Sequence, residues 1–187
     1  MRLAILADIH ANIWALEAVL AHARSHSVDA FINLGDTLYG PLKPRETYDR
    51  LLQENIAITI QGNQDRLIYE ASARDLVSIP TLTYVIRELG EEPIHWLNDL
   101  PKTAVFDNDI FLCHGTPGSD TAYLLEDIMT CSAVSAEALL SGMTHFTLPA
   151  RISSCAMRQG LREGVSITGG APPCNCRARR AATRMYR

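Results

Sequence analysis

Residues 1–12, MRLAILADIHAN, begin a pattern that returns through the first half of the chain. The residues before Asp8 are apolar enough for a buried strand, and the run ends in Asp8 and His10. In an extended chain, residues i and i+2 point to the same side, so this carboxylate and this imidazole are predicted to converge at the strand's end. Taken alone, the pair fits a metal site, an acid–base pair or ordinary polar residues, and the last is the commonest case.

Strand-like and helix-like segments alternate after this run. Apolar residues at helical spacing predict an amphipathic helix over residues 12–26, and Pro44 suits the first turn of another over 44–54. Strands are predicted at 29–36 and 56–65, and two more within 103–117 are joined by a tight Asp-Asn-Asp turn. Further helices are predicted at 80–89, 92–100 and 132–143, followed by a last strand at 144–148.

The early βαβαβ order predicts parallel strands, and in such sheets ligands bind beyond the carboxyl ends of the strands. Five side chains with metal-binding or acid–base chemistry follow those ends: Asp8, His10, Asp36, Asn63 and His114. Their arrival from separate strands at one rim favours a functional site over five unrelated polar residues.

Carboxylate, amide and imidazole ligands without thiolates suit manganese, iron, zinc, nickel or cobalt rather than a structural zinc site. Several carboxylates and imidazoles from separate strands suit a pair of ions that share a bridging carboxylate, and Asp36 is central in the order. We therefore expect two divalent transition-metal ions, with manganese preferred. Such a pair can activate water and stabilise a leaving oxygen in phosphoryl transfer.

The four motifs at these positions resemble those of the calcineurin-like metallophosphoesterase superfamily, and DIHAN is most similar to its small bacterial and archaeal phosphodiesterases. They are Asp8-x-His10, Gly35-Asp36, Gly62-Asn63-x-Asp65 and His114-Gly115, in the family's order within residues 1–120. The resemblance implies an α/β fold, a mixed β-sandwich flanked by α-helices in four layers.

The resemblance also implies roles. Asp8 and His10 would hold the first ion, Asp36 would bridge, and Asn63 and His114 would hold the second. A metal-bound hydroxide would then attack phosphorus in line, without a covalent enzyme intermediate. The resemblance suggests that Asn12 contacts the phosphate, whereas its position before the first helix suits a helix cap, and both alternatives stay open. We interpret Asp65 as a residue that orients Asn63 or the His114 ring rather than as a metal ligand.

Two departures from the family pattern bear on activity. Where the family often has a histidine after Gly-Asn, this chain has Gln64, which can bind a phosphate oxygen but cannot act as an acid. The family's final Gly-His-x-His motif is missing; the histidine after His114 is His145, in GMTHF, and we interpret it as a residue at the start of a strand rather than a ligand. We expect weakened metal binding and poor turnover.

Residues 150–187 differ from the rest in composition. They carry eight arginines and one acid, a balance of +7, whereas residues 1–149 carry nine basic and twenty acidic side chains, a balance of −11. We divide the chain into a metallophosphoesterase-like domain over 1–149 and an Arg/Cys-rich tail over 150–187. The tail is a natural basic extension, a metal-binding segment around Cys174 and Cys176, or the product of a lost reading frame, which we favour.

The composition is that of an ordinary globular domain, with 20% charged and 47% hydrophobic residues in 187. No apolar run is long enough to span a bilayer, and five cysteines without a compact disulfide framework agree with a reducing compartment, so we expect a cytoplasmic protein. The preferred function is hydrolysis of phosphodiesters or small phosphomonoesters. The alternatives are a weakly active or inactive scaffold of the same fold that binds a partner protein and, less favoured, a nucleic-acid binder acting through the tail. The oligomeric state is left open.

Overall fold

Three parallel strands that begin in the first third of the chain carry the site at their carboxyl ends. The structure is a computed structural model that describes residues 1–108 and 110–124, together with short strands at 138–141 and 165–166. Strands β1 (Leu3–Leu6), β2 (Ala30–Asn33) and β3 (Ile56–Thr59) are parallel, and a two-residue strand at Val165–Ser166 pairs with the free side of β1, giving the order β3-β2-β1-Val165–Ser166. Leu6 lies opposite Asn33, which lies opposite Thr59, so the three strands end at one edge.

Helices α1 (Ile13–Ser25) and α2 (Pro44–Leu52) are the crossovers that join these strands. Leu16, Leu20 and Ala23 of α1 pack with Ala4, Leu6 and Phe31 of the sheet, and Leu51 of α2 joins them. The side chain of Asn12 caps α1 by accepting a hydrogen bond from Ala15 N at 3.1 Å. Both helices therefore agree with the amphipathic pattern and start signals in the sequence.

A second sheet packs on the other face of the first. It contains β4 (Thr103–Phe106), antiparallel to β5 (Ile110–Cys113), and β6 (Ala138–Ser141), parallel to β5. The core between the sheets unites residues of both: Leu3, Ile5, Ala7, Ile32, Leu34 and Ile60 with Ile110 and Leu112. The predicted class, an α/β fold with a mixed sandwich and flanking helices, is confirmed.

A separate group of helices follows β3: α3 (Asn63–Tyr69), α4 (Ala73–Ser78), α5 (Pro80–Leu89) and α6 (Glu91–Asp99). Their core contains Leu38, Tyr48, Ile68, Leu82, Val85, Leu89 and Leu97, so it is continuous with α2 and with the loop after β2. The last two helices match the prediction from periodicity. None of the described helices has the length and apolar character to cross a membrane.

Two local predictions were wrong, and one strand pairing was not predicted. Residues 138–141 form a strand where a helix over 132–143 was predicted, because a short apolar run fits either state and pairing along β5 decides it. Residues 63–65 begin α3 rather than ending a strand, since Asp65 accepts a hydrogen bond from Gly62 N at 3.0 Å and so satisfies a main-chain N–H at the start of the helix. The pairing of Val165–Ser166 with β1 was not foreseen either. Residues 144–148, the last predicted strand, lie outside the described residues.

Candidate metal centre

The loop after β1 brings Asp8 and His10 together by a left-handed backbone, not by strand alternation. β1 ends at Leu6, and the φ angles of Asp8, His10 and Ala11 are 54°, 48° and 57°. The convergence was predicted correctly, but its stated cause was wrong. Residues other than glycine adopt this region rarely, and such residues cluster where the surrounding structure holds a functional geometry in place.

The surrounding structure here is the loop after β2, which follows the first loop residue by residue. Asp8 N donates to Gly35 O, His10 N to Asp36 O and Ala11 N to Thr37 O, each at 3.0 Å. Asp36 itself has a φ of 54°. Hydrogen bonding between the two loops thus continues beyond the ends of the strands. It fixes Asp8, His10 and Asp36 relative to one another.

Two glycines let the loops after β2 and β3 touch backbone to backbone. A Cβ added at Gly35 would lie 2.4 Å from Gly62 N, and Gly35 has a φ of 94°. A Cβ added at Gly62 would lie 2.1 Å from an Asp36 carboxylate oxygen and 2.4 Å from Asp36 N. The glycines of Gly-Asp and Gly-Asn are therefore required by this close approach.

Asp8, His10 and Asp36 form a cluster in which one ligand atom from each lies within 4.8 Å of the others. His10 Nδ1 lies 3.0 Å from the main-chain oxygen of Tyr39, and because a carbonyl only accepts, Nδ1 carries the proton. Nε2 then faces Asp8, whose Oδ1 is 3.6 Å away. The nearby carboxylate of Asp8 raises the pKa of His10, against the effect of burial.

His114 is held in the same way from the second sheet. Its Nδ1 donates to Leu34 O at 2.8 Å, and its ring is buried. Nε2 lies 3.1 Å from Asn63 Oδ1 and 3.5 Å from Asp36 Oδ2. Burial lowers the pKa of His114, but the hydrogen bond and the charge of Asp36 outweigh it and raise the pKa to about 9.

The donor set fits a cation. With its proton on Nδ1, a neutral His114 presents a lone pair at Nε2 to two acceptor oxygens, of Asn63 and Asp36, which is unfavourable unless a proton or a metal ion lies among them. A ring nitrogen fixed by a main-chain hydrogen bond, with the other nitrogen directed at carboxylates, is the usual arrangement of a metal-ligating histidine. All five predicted ligands are thus brought to one rim, with Asp36 between the other two pairs.

Asp65 bonds to main-chain N–H groups of the loops rather than to the side chain of Asn63 or the ring of His114. Its buried carboxylate accepts from Thr37 N at 2.8 Å, from Leu38 N at 3.2 Å and from Gly62 N at 3.0 Å. Burial and the charge of Asp36 raise the pKa of Asp65 to about 6. Asp65 therefore joins the loop that carries Asp36 to the residue that precedes Asn63, and so places both.

The two predicted substrate-binding residues lie at this rim as well. Gln64 is half-buried, and its main-chain N donates to Asp36 Oδ1 at 2.9 Å. Asn12 is half-buried and uses its Oδ1 as the α1 cap. Capping is thus one role of Asn12, and it leaves the amide nitrogen for a second partner.

One pair beside the site, Arg66 and Asp120, was not predicted. Arg66 Nε and Nη2 donate to the two oxygens of Asp120 at 2.7 and 3.2 Å, across 54 residues of chain. Neither residue carries a periodic or motif signal, so nothing in the sequence connects them. His145 and the remainder of GMTHF, by contrast, lie outside the described residues, as does the tail apart from Val165–Ser166.

Comparisons with known proteins agree with this geometry. The family model of the calcineurin-like phosphoesterase superfamily domain matches residues 1–161. A metallophosphoesterase from Sphaerobacter thermophilus is similar at 28% identity and a TM-score of 0.64, over 75% of this chain and 59% of that one.

Two further solved structures are more distant. One is described as a putative diadenosine tetraphosphatase, with 18% identity, a TM-score of 0.47, and coverage of 62% of this chain and 54% of that one. The other is Yfce, a phosphoesterase from E. coli, with 20% identity, a TM-score of 0.38, and coverage of 65% and 63%.

This chain thus spans less than two thirds of each of the three solved structures. Among curated proteins none matches it. The family model nevertheless covers 161 of 187 residues and includes all five candidate ligands described above. By its fold, its site and this match, the chain belongs to the calcineurin-like phosphoesterase superfamily.

Proposed function

We propose that the protein is a dinuclear metal-dependent phosphoesterase that hydrolyses phosphodiesters or small phosphomonoesters. The observation that carries the proposal is the convergence of two carboxylates, two imidazoles and one amide oxygen at one rim, with both imidazoles tautomerically fixed by main-chain carbonyls. A surface that serves only to bind a partner protein does not need this set of acceptors.

The residues define two positions for metal ions. Asp8 and His10 would hold one ion, Asn63 and His114 the other, and Asp36, which lies 3.5 Å from His114 and within the Asp8 cluster, would contact both. Divalent ions at these positions supply Lewis acidity, which activates water and offsets the charge of a phosphoryl group. Oxygen and imidazole ligands favour manganese, iron, zinc, nickel or cobalt, and manganese is our first choice.

The chain's own residues would bind and orient the substrate. Asn12 and Gln64 can donate amide N–H groups to phosphate oxygens, and neither can transfer a proton as an acid. Protonation of the leaving group then depends on solvent, which favours esters whose leaving groups are good. The proposed substrate is a small phosphoester, and the proposal involves no nucleic-acid or membrane partner.

We further propose that turnover is slow. The final histidine motif expected in the family is missing from the sequence, which leaves one imidazole for each ion. The reading frame near residue 149 is checked by the nucleotide sequence of the gene, and a repaired frame that restores the histidines should raise both metal affinity and turnover.

The decisive experiment counts ions and measures hydrolysis in the same preparation. The full chain is loaded with Mn²⁺, bound metal is determined by elemental analysis, and bis-p-nitrophenyl phosphate is the substrate. Asp36→Ala should lose more than about 100-fold in Mn²⁺ affinity, because a ligand shared by both ions is removed. Asp99→Ala, at the exposed end of α6, is the matched control and should bind and turn over as the wild type does.

Absence of bound Mn²⁺ from the wild-type chain at millimolar metal would overturn the proposal and favour the scaffold. Equal metal binding by Asp36→Ala and the wild type would show that the ions lie elsewhere. Hydrolysis at the rate of an intact relative would show that the missing histidines do not limit this protein.

A further inference from the structure

The described structure contains one ion-pair connection between the two segments that carry the second pair of ligands. Asn63 is the first residue of α3, and Arg66 lies one turn later on the same helix. His114 follows β5, and Asp120 lies six residues after it in the adjoining loop. The Arg66–Asp120 pair joins these segments through two hydrogen bonds, of 2.7 and 3.2 Å.

The loop between His114 and Asp120 is closed tightly enough to transmit this restraint. Thr116 N donates to Ser119 O at 2.8 Å and Ser119 N to Thr116 O at 3.1 Å. A Cβ at Gly115 would lie 2.4 Å from Ser119 O, so the turn folds directly onto the residue after His114. Fixing Asp120 therefore limits how far the His114 end of the loop can move.

The other pair of ligands is held by different contacts. Asp8 and His10 are fixed by main-chain bonds to Gly35, Asp36 and Tyr39, and none of these bonds involves α3 or the loop after β5. A change at the Arg66–Asp120 pair should consequently reach Asn63 and His114 and leave Asp8 and His10 in place.

We infer that Arg66 and Asp120 form a clamp that positions His114 against Asn63 and so sets the affinity of the second metal position. The two are positioning residues, since they act through α3 and the loop rather than by contact with substrate. A bidentate guanidinium–carboxylate pair has the directional geometry that this task requires, and a single point charge does not. The effect on metal affinity rests on the proposed function. The effect on the position of the His114 ring does not, because it concerns the metal-free protein.

The variants Asp120→Asn and Arg66→Gln test the clamp, and Glu70→Gln is the matched control. Glu70 accepts from the same guanidinium at 3.0 Å, but it lies on the same stretch of chain as Arg66, just past the end of α3, and joins no second segment. Stepwise Mn²⁺ titration by calorimetry should show the affinity of one site lowered about 10-fold in both clamp variants, with the affinity of the other site unchanged. The double variant should be no worse than either single variant, because one interaction is removed in all three.

A second readout does not depend on metal. The Nδ1 proton of His114, donated to Leu34 O, is followed by NMR in the metal-free protein, with the His10 Nδ1 proton as internal reference. We expect exchange of the His114 proton to become about 10-fold faster in Asp120→Asn and Arg66→Gln and to stay as in the wild type in Glu70→Gln.

The outcomes separate the two proposals. If the wild type binds no Mn²⁺ yet the clamp variants release the His114 proton, the clamp stands and the metal-dependent function fails. The clamp is refuted if the wild type binds Mn²⁺ and Glu70→Gln changes Mn²⁺ affinity or His114 proton exchange as much as the clamp variants do. It is also refuted if the clamp variants change the exchange of both His protons equally, or change both ion affinities equally. Unchanged His114 exchange in the clamp variants also refutes it.

Discussion

Gly62→Ala is the substitution whose effect follows most directly from the geometry. The new Cβ would lie 2.1 Å from an Asp36 carboxylate oxygen and 2.4 Å from Asp36 N. Ordinary contacts of this kind lie at about 3.5–4.0 Å, so the loops after β2 and β3 must separate by more than about 1 Å. Main-chain atoms form one side of this contact, and a rotamer change cannot relieve it.

Separating the loops lowers the stability of the protein through both packing and hydrogen bonding. Overpacking of a tight contact costs about 1–3 kcal/mol, and a weakened hydrogen bond to a buried carboxylate, here Gly62 N to Asp65, adds about 1.5 kcal/mol or more. We expect a loss of about 3 kcal/mol in the free energy of unfolding. For a chain of this size that corresponds to a fall of roughly 6–12 °C in melting temperature.

Circular dichroism of the metal-free protein measures the melting temperature, and Mn²⁺ titration measures the site. Gly118→Ala is the control, because a Cβ there meets nothing within 4 Å. We expect Gly118→Ala to melt and bind as the wild type does and Gly62→Ala to lose affinity for both ions, since the displaced residue is Asp36. The loop-contact reasoning is wrong if Gly62→Ala melts within about 2 °C of Gly118→Ala and binds Mn²⁺ normally.

Two further predictions concern carboxylates that hold the loops. Asp65→Asn keeps the side-chain volume but points an amide N–H at a main-chain N–H, so it should lower the free energy of unfolding by about 2 kcal/mol, measured by urea denaturation; an unchanged midpoint would refute the loop-joining role. The hydrogen bond with Arg66 lowers the pKa of Asp120 below its ordinary value. Stability from this pair is present above the unfolded pKa of about 4 and is lost as the pH falls through the folded pKa, so the stability difference between wild type and Asp120→Asn should shrink from pH 7 to pH 3. A difference that does not change with pH would contradict this.

The sequence was most informative where one local pattern determined one element. The apolar run before Asp8, the helical spacing after Asn12 and the Pro44 start signal predicted β1, α1 and α2. The same βαβαβ order placed the five candidate ligands at one edge without any knowledge of distances. The strand at 138–141 was missed because ALLS has no period that separates strand from helix, and only pairing with β5 decides it.

The contacts that build the site were harder to predict from the sequence. The partners of His10 and His114 are carbonyls of Tyr39 and Leu34, and a carbonyl has no residue-specific signal in a sequence. The left-handed backbone at Asp8 and His10 follows from the neighbouring loop, not from local preference. Sequence spacing thus predicted which side chains meet at the rim, while their orientation required the tertiary structure.

The strained backbone itself bears on the choice between an enzyme and a scaffold. Asp8, His10, Ala11 and Asp36 all have positive φ, and each such residue costs on the order of 1 kcal/mol or more relative to an ordinary loop. The hydrogen bonds between the loops hold this geometry. As a result, carboxylate oxygens and imidazole nitrogens, all of them acceptors, face one another within a few ångströms. In metal-free protein that arrangement is favourable only with a proton among the acceptors, and the raised pKa of His114 is the consequence. A divalent ion among them removes the repulsion among the acceptors, so the geometry favours the metal-dependent function over a partner-binding surface that has no use for it.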